Sequence, residues 1–291
     1  MGEARLPGTL DALLRQARTI LQEAGIAGAA YDARLIVEHF AGITQADLIA
    51  SPGRAVAAAQ AMAVLAAARQ RAAGKPVHRI LGYREFYGLK LMLSAETLEP
   101  RPDTETLVDL VLPHLRETVR RRGSCTILDM GTGTGAIALA LLSAVPEARA
   151  VGTDISDDAL ATARTNADMN GYSERFVTRR SDWFGEIEES FDLIVSNPPY
   201  IATAEMDELS REVREHDPVN ALHGGVDGLD AYRQIAAEAV GHLNAAGAIA
   251  VEIGSSQAAD VKEIFASNSF QAADAAADLA GHDRAILFIA C

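Results

Sequence analysis

Asn197, Pro198, Pro199 and Tyr200 stand in a row behind the apolar run at 193–196, "LIVS". Two consecutive prolines fix φ twice and donate no backbone hydrogen bond, so this corner is stiff and its carbonyls need partners from outside. Asn197 adds a side-chain carbonyl and Pro198 a rigidly aimed backbone one. Two fixed acceptors suit a planar NH₂ group, each taking one N–H. Tyr200 offers an aromatic face for a planar amide or base. Stiffness of this kind keeps two reacting groups aligned. Asn197, Pro198 and Tyr200 are therefore the candidate catalytic residues, and together with Pro199 they form the candidate substrate corner. A plain Asn-Pro-Pro turn is the competing reading.

A second segment, "ILDMGTGTGAIALAL" at 127–141, reads as a strand, a glycine-rich turn and a helix start. Glycines let the backbone approach a ligand closely, at a helix N-terminus whose amides face it. Tight strand-to-helix packing would call for glycine too. The spacing Gly131, Gly133, Gly135, with Thr132 and Thr134 between, is not the dinucleotide G-x-G-x-x-G. It is the form used for S-adenosylmethionine, whose amino-acid end lies along the loop. The next strand ends in Asp154, within "VGTDIS", where a carboxylate can meet the two hydroxyls of a ribose. Capping of the following helix is the other role open to Asp154, although Ser156 and Asp157 are better placed for it. In "SDWF", Asp182 could accept from an adenine amino group while Trp183 lines the ring. A lone tryptophan is as often plain core.

These residues need elements to hold them. Leu10, Leu13, Leu14, Ala17, Ile20, Leu21 and Ala24 recur at helical spacing, and Gly25 is placed as a stop. A second helix is predicted over 31–40, a short third one capped by Thr44, and a fourth over 55–74. Residues 1–74 thus read as a helical domain. "HRILGYREFYGLKLMLS" at 78–94 has two β-rich runs around glycines, and residues 75–98 read as a β-hairpin linker. A helix is expected to open near Asp103. From Thr126 onward strands and helices alternate, which implies a mostly parallel sheet covered on both faces: an α/β fold over 99–291. The tail reads as two final strands around a loop.

The chain has 291 residues and a net charge of −14. A protein built for bulk duplex DNA usually carries a basic footprint, because phosphate neutralisation supplies most of that affinity. The one dense basic stretch, "RETVRRRG" at 116–123, reads as a solvated helix end. No apolar run approaches the roughly 18 residues of a membrane helix. The N-terminus "MGEARLPGTL" shows neither a signal peptide nor a myristoylation signal. Cys125 and Cys291, at no metal-ligand spacing, suit a reduced, cytoplasmic setting. His216, His223, His242 and His282 do not cluster, so no metal site is expected.

Several motifs together carry a resemblance: "YDARLIVEH", "PVHRILGYREFYGL", "PRPDTETLVD", the glycine loop, "SDWF", "IVSNPPYI", "ALHGGVDGLDAYR", "VEIG" and "DLAGHDR". Over nearly its whole length the chain resembles the release factor glutamine N5-methyltransferases, the bacterial PrmC/HemK family. Glu99 departs from it, standing where the family usually has an apolar residue. The resemblance implies a seven-stranded, Rossmann-like methyltransferase sheet, joined by a β-hairpin to an N-terminal helical substrate-recognition domain. It implies S-adenosylmethionine as methyl donor, with S-adenosylhomocysteine as product. The substrate would be the glutamine of the Gly-Gly-Gln loop in class 1 peptide chain release factors. Gly131 to Gly135, Asp154, Trp183 and Asn197 would contact the donor, and Asn197 to Tyr200 would hold the glutamine. A cytoplasmic monomer without direct nucleic-acid binding is expected. The alternative is a DNA adenine N6 or RNA guanine N2 methyltransferase using the same Asn-Pro-Pro-Tyr cradle. Asp103 and Glu105 could serve as acids near the pocket, but capping and salt bridging explain them equally well.

Overall fold

A computed structural model describes residues 6–291, so part of the stretch read for a leader lies outside the described residues. The chain divides into two compact units, the first ending at Gly82 and the second running Tyr83–Cys291. Among the described residues no helix is long and apolar enough to cross a membrane.

The first unit is helical: α1 Leu10–Glu23, α2 Ala29–Ala41, α3 Gln45–Ala50, α4 Ala58–Ala72 and α5 Val77–Leu81. Thr9 caps α1, and Thr44 forms a reciprocal box with Asp47 at the start of α3. Leu13, Ala17, Leu21, Ile36, Val37 and Val64 are fully buried between the helices. Inside them, Arg71 Nε donates to Asp32 Oδ2 at 2.6 Å. The "HRIL" run, predicted as β-rich, is the turn of helix α5, bounded by Pro76 and by Gly82 at φ +79°. Proline before a helix and left-handed glycine behind it outweigh the β propensity of a few residues.

The second unit opens with a hairpin, β1 Tyr83–Phe86 and β2 Leu89–Met92, turning at Tyr87 and Gly88, both at positive φ. A two-residue turn of this hand matches the strand twist. A tyrosine is costly there, and two bonds hold it: its N–H donates to Glu105 Oε1 at 2.8 Å, its hydroxyl to Asp109 Oδ1 at 2.7 Å. Both acceptors belong to α6, Glu105–Arg122, which follows a 3₁₀ turn at Pro102–Thr104. Glu99 is buried and ion-paired with Arg84 of the hairpin, so the polar departure from the family pattern has a partner. The arginines closing α6 turn onto carboxylates: Arg120 and Arg121 onto Glu117, Arg122 onto Asp192.

The rest alternates: β3 Cys125–Met130, α7 Ala136–Ala144, β4 Ala148–Asp154, α8 Asp157–Asn170, β5 Phe176–Arg180 and β6 Phe191–Ser196. Then come α9 Arg211–His216, α10 Asp230–Ala239, β7 Leu243–Glu252, α11 Ala258–Ala266, β8 Phe270–Ala277 and β9 Asp283–Ala290. The seven-stranded sheet has the order β5-β4-β3-β6-β7-β9-β8, with β9 antiparallel to both its neighbours. Alternate residues of the central strands serve two cores. Ile127, Leu193 and Ala250 face α6, α7 and α8, whereas Leu128, Ile194 and Ile249 face α10 and α11. This is the two-faced burial that a parallel sheet requires.

Candidate functional site

Strand order reverses between β3 and β6, the place where an open α/β sheet leaves a crevice at its carboxyl edge. Register lines up what lies there. Met130 pairs with Thr153 on one side and Ser196 on the other, and Ser196 pairs with Val251. The next residues, Gly131, Asp154, Asn197 and Glu252, therefore leave the sheet at one level.

A cavity of about 210 Å³ opens above them. Gly131, Thr132, Gly133, Thr134, Asp154, Asp182, Trp183, Asn197 and Pro199 all line it. Gly135, Pro198 and Tyr200 do not. Gly135 caps α7 at φ +82° and packs on Leu139. Pro198 is buried, while Tyr200 is half-buried against the aromatic core. Burial pushes the Tyr200 phenol up to about 12, so it stays protonated.

The glycine loop is fixed from below by Asp129, one residue from the tip of β3. Asp129 Oδ2 accepts from Thr132 Oγ1 at 2.7 Å and from the Ala138 N–H at 3.2 Å. Its other oxygen, Oδ1, is buried without a hydrogen-bond partner. Burial pushes this carboxyl up to about 7, with Asp154 adding repulsion. Asp129 carries no signal of this in the sequence, because a strand residue inside a motif reads as core. Asn166 of α8 ties the loop to the hairpin, its Nδ2 donating to the carbonyls of Thr134 and Met92 at 2.9 and 3.1 Å.

Asp154 accepts the Gly133 N–H at 3.0 Å and the Ser156 N–H at 2.9 Å. It therefore shapes the loop, while Ser156 caps α8. Burial raises its carboxyl despite those bonds. Trp183 sits at φ +48°, a left-handed conformation costing a non-glycine residue about 1–2 kcal/mol. Ser181 Oγ donates to its carbonyl at 2.8 Å and holds it there. With Glu96, Asp154 and Asp182 in the wall, the cavity is acidic. Arg101, the one basic side chain among the lining residues, is engaged by Asp217 at 2.6 Å.

The Asn-Pro-Pro-Tyr corner is clamped from behind by "HGGVDG". The Ile201 N–H donates to the Leu222 carbonyl and the Gly224 N–H to that of Ile201, both at 2.9 Å. A Cβ on Gly224 would lie 2.6 Å from the Pro199 oxygen, and one on Gly228 would lie 2.4 Å from the Tyr200 oxygen. Only glycine fits either position. Asn197 itself points its Nδ2 at Thr104 Oγ1, 3.2 Å away, which leaves its carbonyl oxygen for the other side. Thr104 and Glu252 were not singled out from the sequence, because positions 104, 197 and 252 meet only through folding. Glu105 holds the hairpin, and Asp103 lies 3.6 Å from Arg284.

Two family models match the chain: a PrmC N-terminal domain over residues 12–82 and a methyltransferase small domain over residues 103–215. A release factor glutamine methyltransferase of Agrobacterium fabrum is 52% identical over 280 residues, 96% of this chain and 97% of that protein. One of Bradyrhizobium diazoefficiens is 45% identical over 96% of this chain and 91% of its own. Among solved structures, the catalytic domain of hMettl16, solved with MAT2A 3′UTR hairpin 6, superposes with a TM-score of 0.54. It is 17% identical and covers 76% of this chain and 81% of its own, a likeness of fold.

Proposed function

The chain belongs to the release factor glutamine methyltransferase family, and from that premise we propose that it methylates N5 of the glutamine in the Gly-Gly-Gln loop of class 1 release factors. The observation that carries this reading is Asn197: it lines the crevice beside the glycine loop, its carbonyl free, on a corner stiffened by two prolines and backed by Gly224.

S-adenosylmethionine supplies an electrophilic methyl group on a cationic sulfonium. An acidic wall suits such a cation. The two-oxygen edge of Asp154, on the cavity wall, suits its ribose hydroxyls, and Asp129 beneath the glycine loop adds to the acidic surroundings. Gly131 to Thr134, Asp182 and Trp183 are the remaining donor contacts in this reading.

An amide nitrogen is a poor nucleophile because its lone pair is delocalised into the carbonyl. Asn197 Oδ1, on the cavity wall, accepts one N–H of the glutamine, and the carbonyl of Pro198, a residue just behind the lining, is read as taking the other, turning the nitrogen toward the methyl group. They also stabilise the positive charge that develops on those N–H groups. One such preorganised group is commonly worth about 3 kcal/mol. No general base is needed, since the nitrogen becomes acidic only once alkylated and its proton can leave to water. Pro199 walls the glutamine side chain, with Tyr200 packed behind it against the core.

The helical unit ending at Gly82 is read as the part that recognises the release factor, with the hairpin leading into the catalytic unit. Nothing favours a nucleic-acid substrate. Mass spectrometry of a class 1 release factor incubated with this protein and S-adenosylmethionine tests the reading. A methyl group mapped by fragmentation to the Gly-Gly-Gln glutamine is expected. An unmodified factor, with donor binding established, would overturn it.

A further inference from the structure

Behind Asn197 lies a carboxyl group that the reaction above does not use. Glu252 ends β7 as Asn197 follows β6, on adjacent parallel strands whose preceding residues, Val251 and Ser196, are paired. The two side chains therefore share a face. Glu252 is 2% exposed, and its Oε2 is buried without a hydrogen-bond partner. The polar groups facing its carboxyl are the Thr104 hydroxyl and the Asn197 amide. Its charged and titratable neighbours come from four elements: Asp103 before α6, Arg284 of β9, Tyr200 behind β6 and Tyr232 of α10.

A side-chain amide can sit either way round, and only one way presents a carbonyl to the glutamine. An ionised carboxylate accepts and never donates. The Thr104 hydroxyl, which faces that carboxylate, then turns its proton toward Glu252 and accepts from Asn197 Nδ2 across the 3.2 Å bond observed. The Asn197 oxygen is left facing the cavity.

We propose that Glu252 is a positioning residue which, through Thr104, sets the orientation of the Asn197 amide for the methyl acceptor. Protonated Glu252 can donate, and the opposite orientation of Asn197 then becomes permissible. Burial pushes this carboxyl up to about 7, so the change falls within the working range of pH. The proposal rests on the functional reading above, and the experiment separates the two.

Release factor methylation is measured from pH 5.5 to 8.5, at saturating S-adenosylmethionine, for the unsubstituted protein, Glu252→Gln, Thr104→Val and Thr104→Ser. The expected result is a kcat that rises with pH in the unsubstituted protein. Glu252→Gln should lose about 10- to 100-fold in kcat, lack that rise, and keep its calorimetric affinity for the donor. Thr104→Val should lose a similar factor, and Thr104→Ser should regain most of it. A Glu252→Gln or Thr104→Val protein with kcat within about twofold of the parent, or with the parent's pH limb, overturns the proposal. Should the unsubstituted protein methylate no release factor, the functional reading fails first. The side-chain amide resonances of Asn197, assigned with Asn197→Asp, then decide: they should move in Thr104→Val, and unchanged resonances overturn the relay.

Discussion

Arg101 Nη2 donates to Asp217 Oδ2 at 2.6 Å, although 116 positions separate the two residues. The bond joins the segment before α6 to the excursion after β6, and both border the cavity. Asp217 is nearly buried, so Arg101→Ala takes one charged partner from its carboxylate, at a cost of about 1–3 kcal/mol. Urea denaturation should show that loss, and the donor should dissociate faster. An unmoved midpoint would show that the pair contributes nothing.

Asn197→Ala removes the acceptor and keeps the fold around it. The turnover number for release factor methylation should fall about 10²- to 10³-fold. Calorimetric affinity for S-adenosylmethionine should change little, because the loop and Asp154 remain. A variant that loses donor binding in proportion would mean that Asn197 acts through its expected contact with the donor rather than through the glutamine.

Gly224→Ala tests the clamp behind the corner. Its Cβ would meet the Pro199 oxygen at 2.6 Å and the Tyr200 Cα at 2.8 Å, both backbone atoms that cannot swing away. Overpacking of this kind typically costs about 1–3 kcal/mol. The thermal midpoint should drop and kcat should fall further than stability alone explains. Wild-type activity would mean that the corner tolerates displacement.

Asp129 should make the ligand-free protein less stable as pH rises from 5 to 8. Burial holds its folded carboxyl near 7, above the unfolded value, so the folded state carries the extra proton between those two values. Glu252, also near 7, acts in the same direction. Stability then falls as pH climbs through that window and levels off above it. Denaturation midpoints at pH 5.5 and 7.5 should differ in this sense, by less in Asp129→Asn. A cationic donor favours ionised Asp129, so its stabilising effect should grow with pH. An equal difference in Asp129→Asn would clear this residue of any part.

The chemistry-bearing loops were legible because each is a contiguous string with an unusual composition: glycines at 131, 133 and 135, a carboxylate at 154, two prolines at 198 and 199. Their position on one sheet edge followed from β/α alternation alone. What supports them was not legible. Glu252 and Thr104 reach Asn197 from distant parts of the chain, Glu252 by strand register and Thr104 by the 3₁₀ turn before α6. Asp129 is hidden inside an apolar strand. Glu99 broke a family pattern on paper, yet Arg84 answers it within the hairpin. The 78–81 segment shows local β preference yielding to the proline and glycine that bound it.

Trp183, held in a left-handed turn on the cavity wall, is the chain's only tryptophan. Its indole is thus an intrinsic fluorophore placed by the fold on the wall of the cavity proposed to hold the donor. A change in its emission on adding S-adenosylmethionine or S-adenosylhomocysteine reports events at that wall alone, uncoloured by tryptophans elsewhere. Exchange of donor for spent product could be followed in real time by stopped flow, with no label attached.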